Sequence, residues 1–402
     1  MQSIPYVMLS SIPMFVCGFW TLTFLGQYKS AHISKKVIFW FMLTATSLYF
    51  AHFVVFNHLY SLIPLTDTIY TFATLSVYPI FFLYIIALTG KLNLSDFWVL
   101  IPGLLIASVI GICYLLIPDS LMRNFIKVCH YDIDFPISHS AELCSLKAHH
   151  LMKPIIVMEV IPVLYFGFKR IHQFKRRVEQ SFSNTEHKDL SGVKTLLIVF
   201  VITSCLSVIA DLMGRAFFVG TCFLVSLPTL SFGIVLFIIG HITDHQRFTI
   251  NDLKEEEQGV SNTLNTLTSV QDADNPTEDT TNNEREALRK AINQLMIDKQ
   301  LFLKPDLKVS DVASELNTNR TYIYEALKSN NDSQATTSFT DYVNQYRIIY
   351  CLNLLRQSKN ANIETLAYES GFLSKATFYK NFKKFTGKTP SCYLKSQQNE
   401  ES

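Results

Sequence analysis

Residues 362–393 read NIETLAYESGFLSKATFYKNFKKFTGKTPSCY and decide the fold of the C-terminal part of the chain. The apolar residues before Gly371 recur at the spacing of one face of a short helix, and this glycine permits a tight turn after it. The segment that follows, SKATFYKNFKKF (374–385), repeats the helical spacing and is rich in lysine. Gly387 and Pro390 then end the second helix. The stretch predicts a helix-turn-helix whose second helix is basic.

Another helix-turn-helix precedes this one. The segments VSDVASELN (309–317) and RTYIYEALK (320–328) each predict a short amphipathic helix, with a turn at Asn317–Asn319 between them. An apolar stripe at about 339–357 predicts one long helix that joins the two units. The residues expected to form its buried face are Phe339, Tyr342, Val343, Tyr346, Ile349, Leu352 and Leu355.

Two helix-turn-helix units joined by one long helix resemble the DNA-binding domain of AraC-type transcription regulators. The resemblance covers about 285–396 and is most specific at 363–393, where the chain reads I-x-x-L-A-x-x-x-G-F-x-x-x-x-x-F-x-x-x-F-K-K-x-x-G-K-T-P-x-x-Y. It implies that one recognition helix from each unit enters the major groove of double-stranded DNA. The residues that it assigns to DNA binding are Asn319, Arg320, Thr321, Tyr324, Lys375, Ala376, Tyr379, Lys380, Lys383 and Lys384.

The assigned residues divide into two kinds. Lys375, Lys383 and Lys384 suit phosphate contacts, which supply affinity rather than sequence choice. The positions just after each turn are expected to read bases. Glu325 departs from the family, which often has a basic residue there: it either accepts a hydrogen bond from a cytosine amino group, or the first unit contributes less to binding.

The rest of the chain differs in composition from this domain. The 402 residues are 49% apolar and only 17% charged, which is too hydrophobic for an ordinary soluble protein. Charge is concentrated late in the chain: residues 287–402 carry 16 Lys+Arg against 11 Asp+Glu, whereas residues 252–286 carry 2 against 10. The contrast predicts an acidic, flexible linker at 246–284 that leads into a basic domain.

Long apolar runs fill residues 1–245. Because a helix needs about 20 apolar residues to cross a bilayer, these runs predict transmembrane helices. The expected fold class is all-α, with a polytopic transmembrane bundle (1–245, about seven spans), the linker (246–284) and a soluble double helix-turn-helix domain (285–402). The predicted spans lie at roughly 6–26, 37–59, 68–89, 97–117, 151–168, 193–212 and 217–240.

Lysine and arginine in the short loops predict the orientation of the bundle. The first predicted loop carries Lys29, Lys35 and Lys36, and the fifth carries six cations between 169 and 188, while the second carries none. Cytoplasmic loops are enriched in Lys and Arg, so the odd-numbered loops are expected in the cytoplasm. The N-terminus is then outside and the C-terminal domain inside, in the inner (cytoplasmic) membrane of a bacterium.

Three residues of the apolar half are candidate functional residues. Cys129 and Cys144 lie in the longest predicted outside loop, where an oxidising compartment favours a disulfide; two free thiols are the alternative. Glu159 lies in the fifth predicted span near Pro162, and an intramembrane carboxylate is a candidate for signal sensing. A structural hydrogen bond between helices explains Glu159 equally well.

The sequence contains no P-loop, Rossmann fingerprint, HExxH motif or nucleophile elbow, so no enzymatic activity, metal site or cofactor is predicted. The hypothesis is a membrane-anchored transcription regulator that couples a membrane or extracytoplasmic signal to a promoter. Its expected partners are double-stranded DNA, the lipid bilayer and RNA polymerase; a homodimer and an unidentified signal ligand or partner protein stay open. The alternatives are a transporter or receptor with a helix-turn-helix regulatory tail, an intramembrane enzyme, and a passive tether from which proteolysis releases the DNA-binding domain.

Overall fold

The structure is a computed structural model of the chain. It describes residues 4–131, 133–186, 188, 190–200, 202, 222–246, 248–258, 278–328, 338–357 and 362–400. The all-α class is confirmed, since no strand forms among these residues. The chain divides into two compact units: unit 1 contains Met1–Ile171 and Leu190–Arg247, and unit 2 contains His172–Asp189 and Phe248–Ser402.

Unit 1 is a bundle in which α2 packs against both α1 and α3, α1 packs against α8, and α3 packs against α4. A 3-10 turn, Leu94–Leu100, leads directly into α4. Helix α3 is more deeply buried than α2, α4 and α6. The helices are α1 (Ile4–Gln27), α2 (Ile33–Phe56), α3 (Ile63–Thr89), α4 (Ile101–Leu116), α5 (Asp119–Tyr131), most of α6 (Ser140–Ser181), α7 (Ser191–Phe200) and α8 (Cys222–His245).

Four helical segments in the described residues are long and apolar enough to cross a membrane: Ile33–Phe56, Ile63–Thr89, Leu94–Leu116 and Ser140–Ser181. The described residues therefore show four candidate spans, whereas the sequence predicts about seven. Helices α1 and α8 coincide with the first and last predicted spans, but some of their side chains lie outside the described residues. Most of the predicted span at 193–212 also lies outside them beyond α7.

Apolar side chains on α4 and α6 face outward from unit 1. Leu105 and Leu115 of α4 and Met158 and Ile161 of α6 are all more than half exposed. Monomeric soluble proteins rarely expose contiguous apolar surfaces of this kind. The outward faces of these two helices therefore suit a lipid environment.

Helix α6 continues well beyond the predicted span at 151–168. It is 42 residues long and includes Pro154 and Pro162. The polarity of the Lys- and Arg-rich stretch after residue 168 predicts a loop, but both residue types are good helix formers and the helix extends through it. Its last turns, from His172 onward, belong to unit 2.

Unit 2 contains both predicted helix-turn-helix units, α11–α12 and α14–α15, with α13 between them. Helix α9 and the first residues of α10 lie within the predicted linker at 246–284, and Leu253 of α9 is fully buried. Residues 259–277 lie outside the described residues. The helices are α9 (Ile250–Gln258), α10 (Glu278–Lys299), α11 (Val309–Glu315), α12 (Arg320–Leu327), α13 (Phe339–Gln357), α14 (Ile363–Glu369), α15 (Lys375–Thr386) and α16 (Pro390–Glu400).

Each helix-turn-helix unit has its own hydrophobic core, and α13 contributes to both. The stripe expected on α13 is wrong at Ile349, which is half exposed, while Arg347 is buried. The reason is that the buried face of α13 changes from the first core to the second along its length. Core residues of the first unit include Ile292, Met296, Val312, Ile323 and Val343, and those of the second include Ile348, Cys351, Leu366, Phe378 and Phe382.

Gly371 and Gly387 allow a matched test of this packing. Both have positive φ, +84° and +75°, but a Cβ at Gly371 would lie only 2.8 Å from the carbonyl oxygen of Phe302. A Cβ at Gly387 would meet no atom of the described chain within 4 Å. We expect Gly371→Ala to destabilise unit 2 by about 3 kcal/mol and Gly387→Ala by about 1 kcal/mol, because only the first adds a backbone clash to left-handed strain.

The full chain is heated in detergent, and the unfolding of unit 2 is detected by protease cleavage within residues 278–400. Equal losses for the two variants would contradict the close approach between Gly371 and the turn at Phe302.

Candidate nucleic-acid interface

The first helix-turn-helix unit presents the N-terminal end of α12. Asn319 caps this helix, and its side-chain oxygen accepts a hydrogen bond of 3.1 Å from the Thr321 amide. The preceding turn passes through Asn317 at φ +46°, a conformation that asparagine adopts more readily than most residues. Thr321 and Tyr322 are exposed, whereas Tyr324 is half-buried. The first turn of α12 is therefore open to a ligand.

The second unit presents α15 in the same way. Ser374 caps the helix, its Oγ accepting a hydrogen bond of 3.2 Å from the Thr377 amide. Buried Phe378 and Phe382 fix the inner face of α15, and Tyr379 is half-buried. The remaining residues predicted to contact DNA from this helix are all exposed: Lys375, Ala376, Lys380, Lys383 and Lys384.

Two of these lysines have acidic partners. The Nζ of Lys384 lies 2.5 Å from Oδ1 of Asp341, and the Nζ of Lys375 lies 3.9 Å from Oε2 of Glu364. Ion pairs between exposed side chains contribute little to stability, so a phosphate can replace either carboxylate at small cost. The other two lysines of α15 that are predicted to bind DNA form no ion pair within the described part of the chain.

Helix α12 carries less positive charge than α15. Glu325 pairs with Arg285 of α10, with 3.1 Å between Oε2 and the guanidinium nitrogen. Arg320 lies at the first position of α12, with its guanidinium 5.9 Å from the centre of the Tyr324 ring. The electrostatic attraction for phosphate is therefore concentrated on the second helix-turn-helix unit.

A buried arginine joins the two helix-turn-helix units of unit 2. Arg347 of α13 is 1% exposed, and its guanidinium donates hydrogen bonds to the carbonyl oxygens of Phe302 (2.7 Å), Lys304 (2.8 Å) and Pro305 (3.1 Å). The guanidinium also lies 5.5 Å from the ring centre of Phe372 in the second unit. Burial lowers the pKa of Arg347 to about 10, so the side chain stays charged near neutral pH. This residue sets the positions of the first helix-turn-helix unit, α13 and the second helix-turn-helix unit relative to one another.

A segment from the middle of the chain docks on this domain. We call residues 179–186 and Lys188 the docked segment. Its backbone pairs with the start of α11, where the Ser183 amide donates to the Leu307 carbonyl at 2.9 Å. The hydroxyl of Thr340 donates to the Phe182 carbonyl at 2.6 Å, and Phe182 itself is 3% exposed. The segment is therefore an integral part of unit 2.

The docked segment also reaches both recognition helices. The hydroxyls of Ser181 and Tyr324 lie 3.3 Å apart, and the Thr377 hydroxyl donates to Glu186 Oε2 at 3.5 Å. Tyr324 is one of the predicted base-reading residues, and Thr377 lies in the first turn of α15. The segment thus contacts the part of each unit that is expected to lie nearest to DNA.

Sequence reasoning missed both Arg347 and the docked segment. Within the basic stretch after residue 168, the apolar residues Phe174, Val178 and Phe182 recur at intervals of four and are all buried. That spacing was the available signal of a packed helical face. Arg347 carries no comparable local signal, because the backbone carbonyl oxygens that it binds lie more than forty positions away in the sequence.

The other candidate residues, Cys129, Cys144 and Glu159, belong to unit 1. Cys129 is half-buried on α5 and Cys144 is exposed on α6, and the disulfide between them stays a prediction. Glu159 is half-buried, and neither of its carboxylate oxygens has a hydrogen-bond partner among the described residues. A sensing role for Glu159 stays a prediction.

Comparison with known proteins identifies the C-terminal domain. A family described as a helix-turn-helix domain, of AraC type, matches residues 312–396, and no family is recognised in the apolar part of the chain. The Msm operon regulatory protein of Streptococcus mutans serotype c is 32% identical to the chain over 93 residues, which make up 23% of this chain and 32% of that protein. The match therefore spans about a third of the relative. No solved structure matches the chain.

Phe182→Ala tests whether the docked segment stabilises the DNA-binding domain. We expect it to destabilise unit 2 by about 3 kcal/mol, because it removes a buried aromatic ring. Phe166→Ala is the matched control, because Phe166 is about half exposed and lies on α6, before the docked segment. Protease-monitored melting of residues 278–400 in the full chain measures the effect. Unit 2 of the same stability in both variants would show that the segment does not stabilise the domain.

Proposed function

We propose that this protein is a membrane-anchored, sequence-specific DNA-binding transcription regulator that couples a membrane or extracytoplasmic signal to promoter control. The observation that carries the proposal is the exposed basic face of α15 in a domain that matches an AraC-type helix-turn-helix family. The regulator named among the relatives supports the same function. Proteins of this helix-turn-helix family are typically not enzymes, and no enzymatic activity is proposed.

In this proposal the two recognition helices enter neighbouring faces of the DNA major groove. Thr321 and Tyr324 of α12 and Ala376, Tyr379 and Lys380 of α15 read bases. The phosphate contacts come from the other basic residues of the two helices and position the domain on the duplex. The residues proposed to contact DNA also include Asn319, Arg320, Lys375, Lys383 and Lys384.

The apolar helices anchor the regulator in the inner (cytoplasmic) membrane of a bacterium, with the N-terminus outside and the C-terminal domain in the cytoplasm. Four long apolar helices support this arrangement, as do the lysine and arginine residues of the first predicted loop and of the stretch 169–188, which includes the end of α6. The docked segment supports a coupling role, because it lies in the chain between two apolar helices and contacts Tyr324 and Thr377. A signal that moves the segment would then act on the recognition helices directly.

The proposed partners are double-stranded DNA, the lipid bilayer and RNA polymerase, together with a signal ligand or partner protein. Two copies of the chain on adjacent half-sites would increase affinity through effective concentration, which is the reason to include a homodimer. A pull-down of genome-wide DNA fragments with the tagged full-length protein from native membranes tests the proposal. Enrichment at discrete promoters is expected. No enrichment under any growth condition, together with no DNA binding by the detergent-solubilised full-length protein, would overturn it.

Lys380 and Tyr379 provide the test of base reading. We expect the double variant Tyr379→Ala, Lys380→Ala to weaken binding to the cognate site by about 2 kcal/mol or more and to relax its specificity, since base contacts are worth roughly 1 to 3 kcal/mol each. Binding measured by fluorescence anisotropy at fixed salt gives the effect. Lys395→Ala is the control, because Lys395 is an exposed lysine outside both recognition helices.

Lys383→Ala separates phosphate contacts from base contacts. We expect uniformly weaker binding to all sequences and a salt dependence whose slope falls by about one, because one counterion fewer is released. A change in sequence preference without a change in slope would assign Lys383 to base reading instead.

A further inference from the structure

A buried polar cluster in unit 1 centres on Asp67 of α3, whose side chain is 3% exposed. Its Oδ2 atom accepts a hydrogen bond of 2.9 Å from the Tyr114 hydroxyl of α4 and lies 2.8 Å from Nε2 of His149 in α6. Its Oδ1 atom lies 3.6 Å from Nε2 of His130 in α5. Side chains from four helices therefore meet at one carboxylate.

The second nitrogen of His149 indicates how many protons this cluster holds. Nδ1 of His149 lies 2.8 Å from the backbone carbonyl oxygen of Ser145, an atom that can only accept a hydrogen bond. An ionised Asp67 carboxylate is also only an acceptor. A neutral imidazole has a single N–H and can satisfy one of these two partners, not both. The contacts of Asp67 and His149 are therefore complete only when the pair holds one proton more than a neutral imidazole beside an ionised carboxylate.

Loss of this extra proton is unfavourable. It leaves one His149 nitrogen with a lone pair facing an acceptor at 2.8 Å, either Asp67 or the Ser145 carbonyl. A buried acceptor that loses its donor is destabilised by its desolvation. The proton is thus part of what holds these atoms together.

The histidines are the groups next to Asp67 that can carry a positive charge. The titratable groups that act on Asp67 are His149, His130 and Tyr114, and no Lys or Arg in the described part of the chain does so. The Tyr114 hydroxyl also lies 3.4 Å from Nε2 of His130, and Cys129 of α5 is the other titratable group next to Tyr114. A proton on the histidines is therefore what balances the buried carboxylate.

The cluster connects segments that differ in character. Helices α3 and α4 belong to apolar segments, whereas α5 is amphipathic and follows α4 directly. Phe125 of α5 packs into a core formed with Ile110 of α4 and Ala148 and Met152 of α6. The polar contacts at Asp67 therefore fasten α5 and the beginning of α6 onto α3 and α4.

A bound metal ion is not what the arrangement fits. The described residues contain no group of three or more His, Cys, Asp and Glu side chains arranged to hold one. The Tyr114 hydroxyl donates to the same carboxylate oxygen that faces His149, so this oxygen is already occupied by hydrogen bonds. A proton satisfies the cluster without any rearrangement.

We propose that Asp67, Tyr114, His130 and His149 form a proton-binding site that fastens α5 and the N-terminal end of α6 to α3 and α4. Acid stabilises the fastened state, and raising the pH loosens it. The side of the membrane rests on the proposed function: with the N-terminus outside, the beginning of α3 and the end of α4 face outward. The ligand of the site is then an external proton, and the regulator responds to external acidity.

Hydrogen–deuterium exchange on the full-length protein in lipid nanodiscs tests the site. Exchange of residues 119–131 and 140–152 is compared at about pH 5.5 and about pH 8, on either side of the ordinary histidine pKa of roughly 6.5, and corrected for the intrinsic pH dependence of exchange. We expect protection to fall by about tenfold or more at the higher pH. In Asp67→Asn and in His149→Gln, which keep polar side chains but cannot titrate, this pH dependence should disappear. His150→Gln, at an exposed neighbouring position, should behave like the wild type.

Wild-type protection that does not depend on pH would overturn the proposal, as would an unchanged pH dependence in both Asp67→Asn and His149→Gln. Promoter occupancy in cells, measured at two external pH values with the cytoplasmic pH held constant, then tests the link to regulation. An occupancy response that is lost in Asp67→Asn supports an external proton as the signal; a response that persists in this variant contradicts it. If no promoter is occupied at any pH, the proposed function fails while the exchange result still decides the proton site.

Discussion

The hydrogen bonds of the buried Arg347 guanidinium are the interaction on which the DNA-binding unit depends. A buried charge is tolerated only with hydrogen-bond partners, and here backbone carbonyls of the turn between α10 and α11 supply them. Because Arg347 lies on the helix that joins the two helix-turn-helix units, these bonds fix the first unit against α13. The second unit approaches the same turn closely at Gly371. Two recognition helices can bind successive faces of one groove only when their spacing is fixed, so the buried arginine serves recognition as well as stability.

The same guanidinium extends this arrangement to a distant part of the chain. It donates to the hydroxyl of Ser183, which lies 164 residues earlier. The adjoining residues are fixed by backbone hydrogen bonds and by the ion pair of Lys188 with Asp306 at 2.7 Å. A DNA-binding domain is usually pictured as a module that a linker joins to the rest of the protein. Here the folded unit is discontinuous in sequence, and a piece from between two apolar helices completes it.

The sequence predicted what depends on local patterns. Both helix-turn-helix units and their turns follow from residue spacing, which short helices express directly. Arg347 and the Asp67 cluster could not be predicted, because each joins residues from different helices whose packing no local pattern specifies. For the docked segment, the spacing of Phe174, Val178 and Phe182 indicates a buried face but not what that face packs against. In the apolar half, hydropathy located the four long apolar helices, but α5 and the polar end of α6 lie in stretches that were expected to be loops, since polarity alone does not stop a helix of good helix formers.

Buried polar contacts occupy both ends of α6, and this is an unusual place for them in a helix with an apolar middle. His149 near one end contacts Asp67, and Ser181 at the other end contacts Tyr324. Polar groups buried in this way cost free energy unless their partners are in place, so each set of contacts favours a single arrangement of the helix end that carries it. A change of protonation at His149 removes part of that preference at one end. Helix α6 therefore carries His149 in the part that belongs to unit 1 and Ser181 in the part that belongs to unit 2.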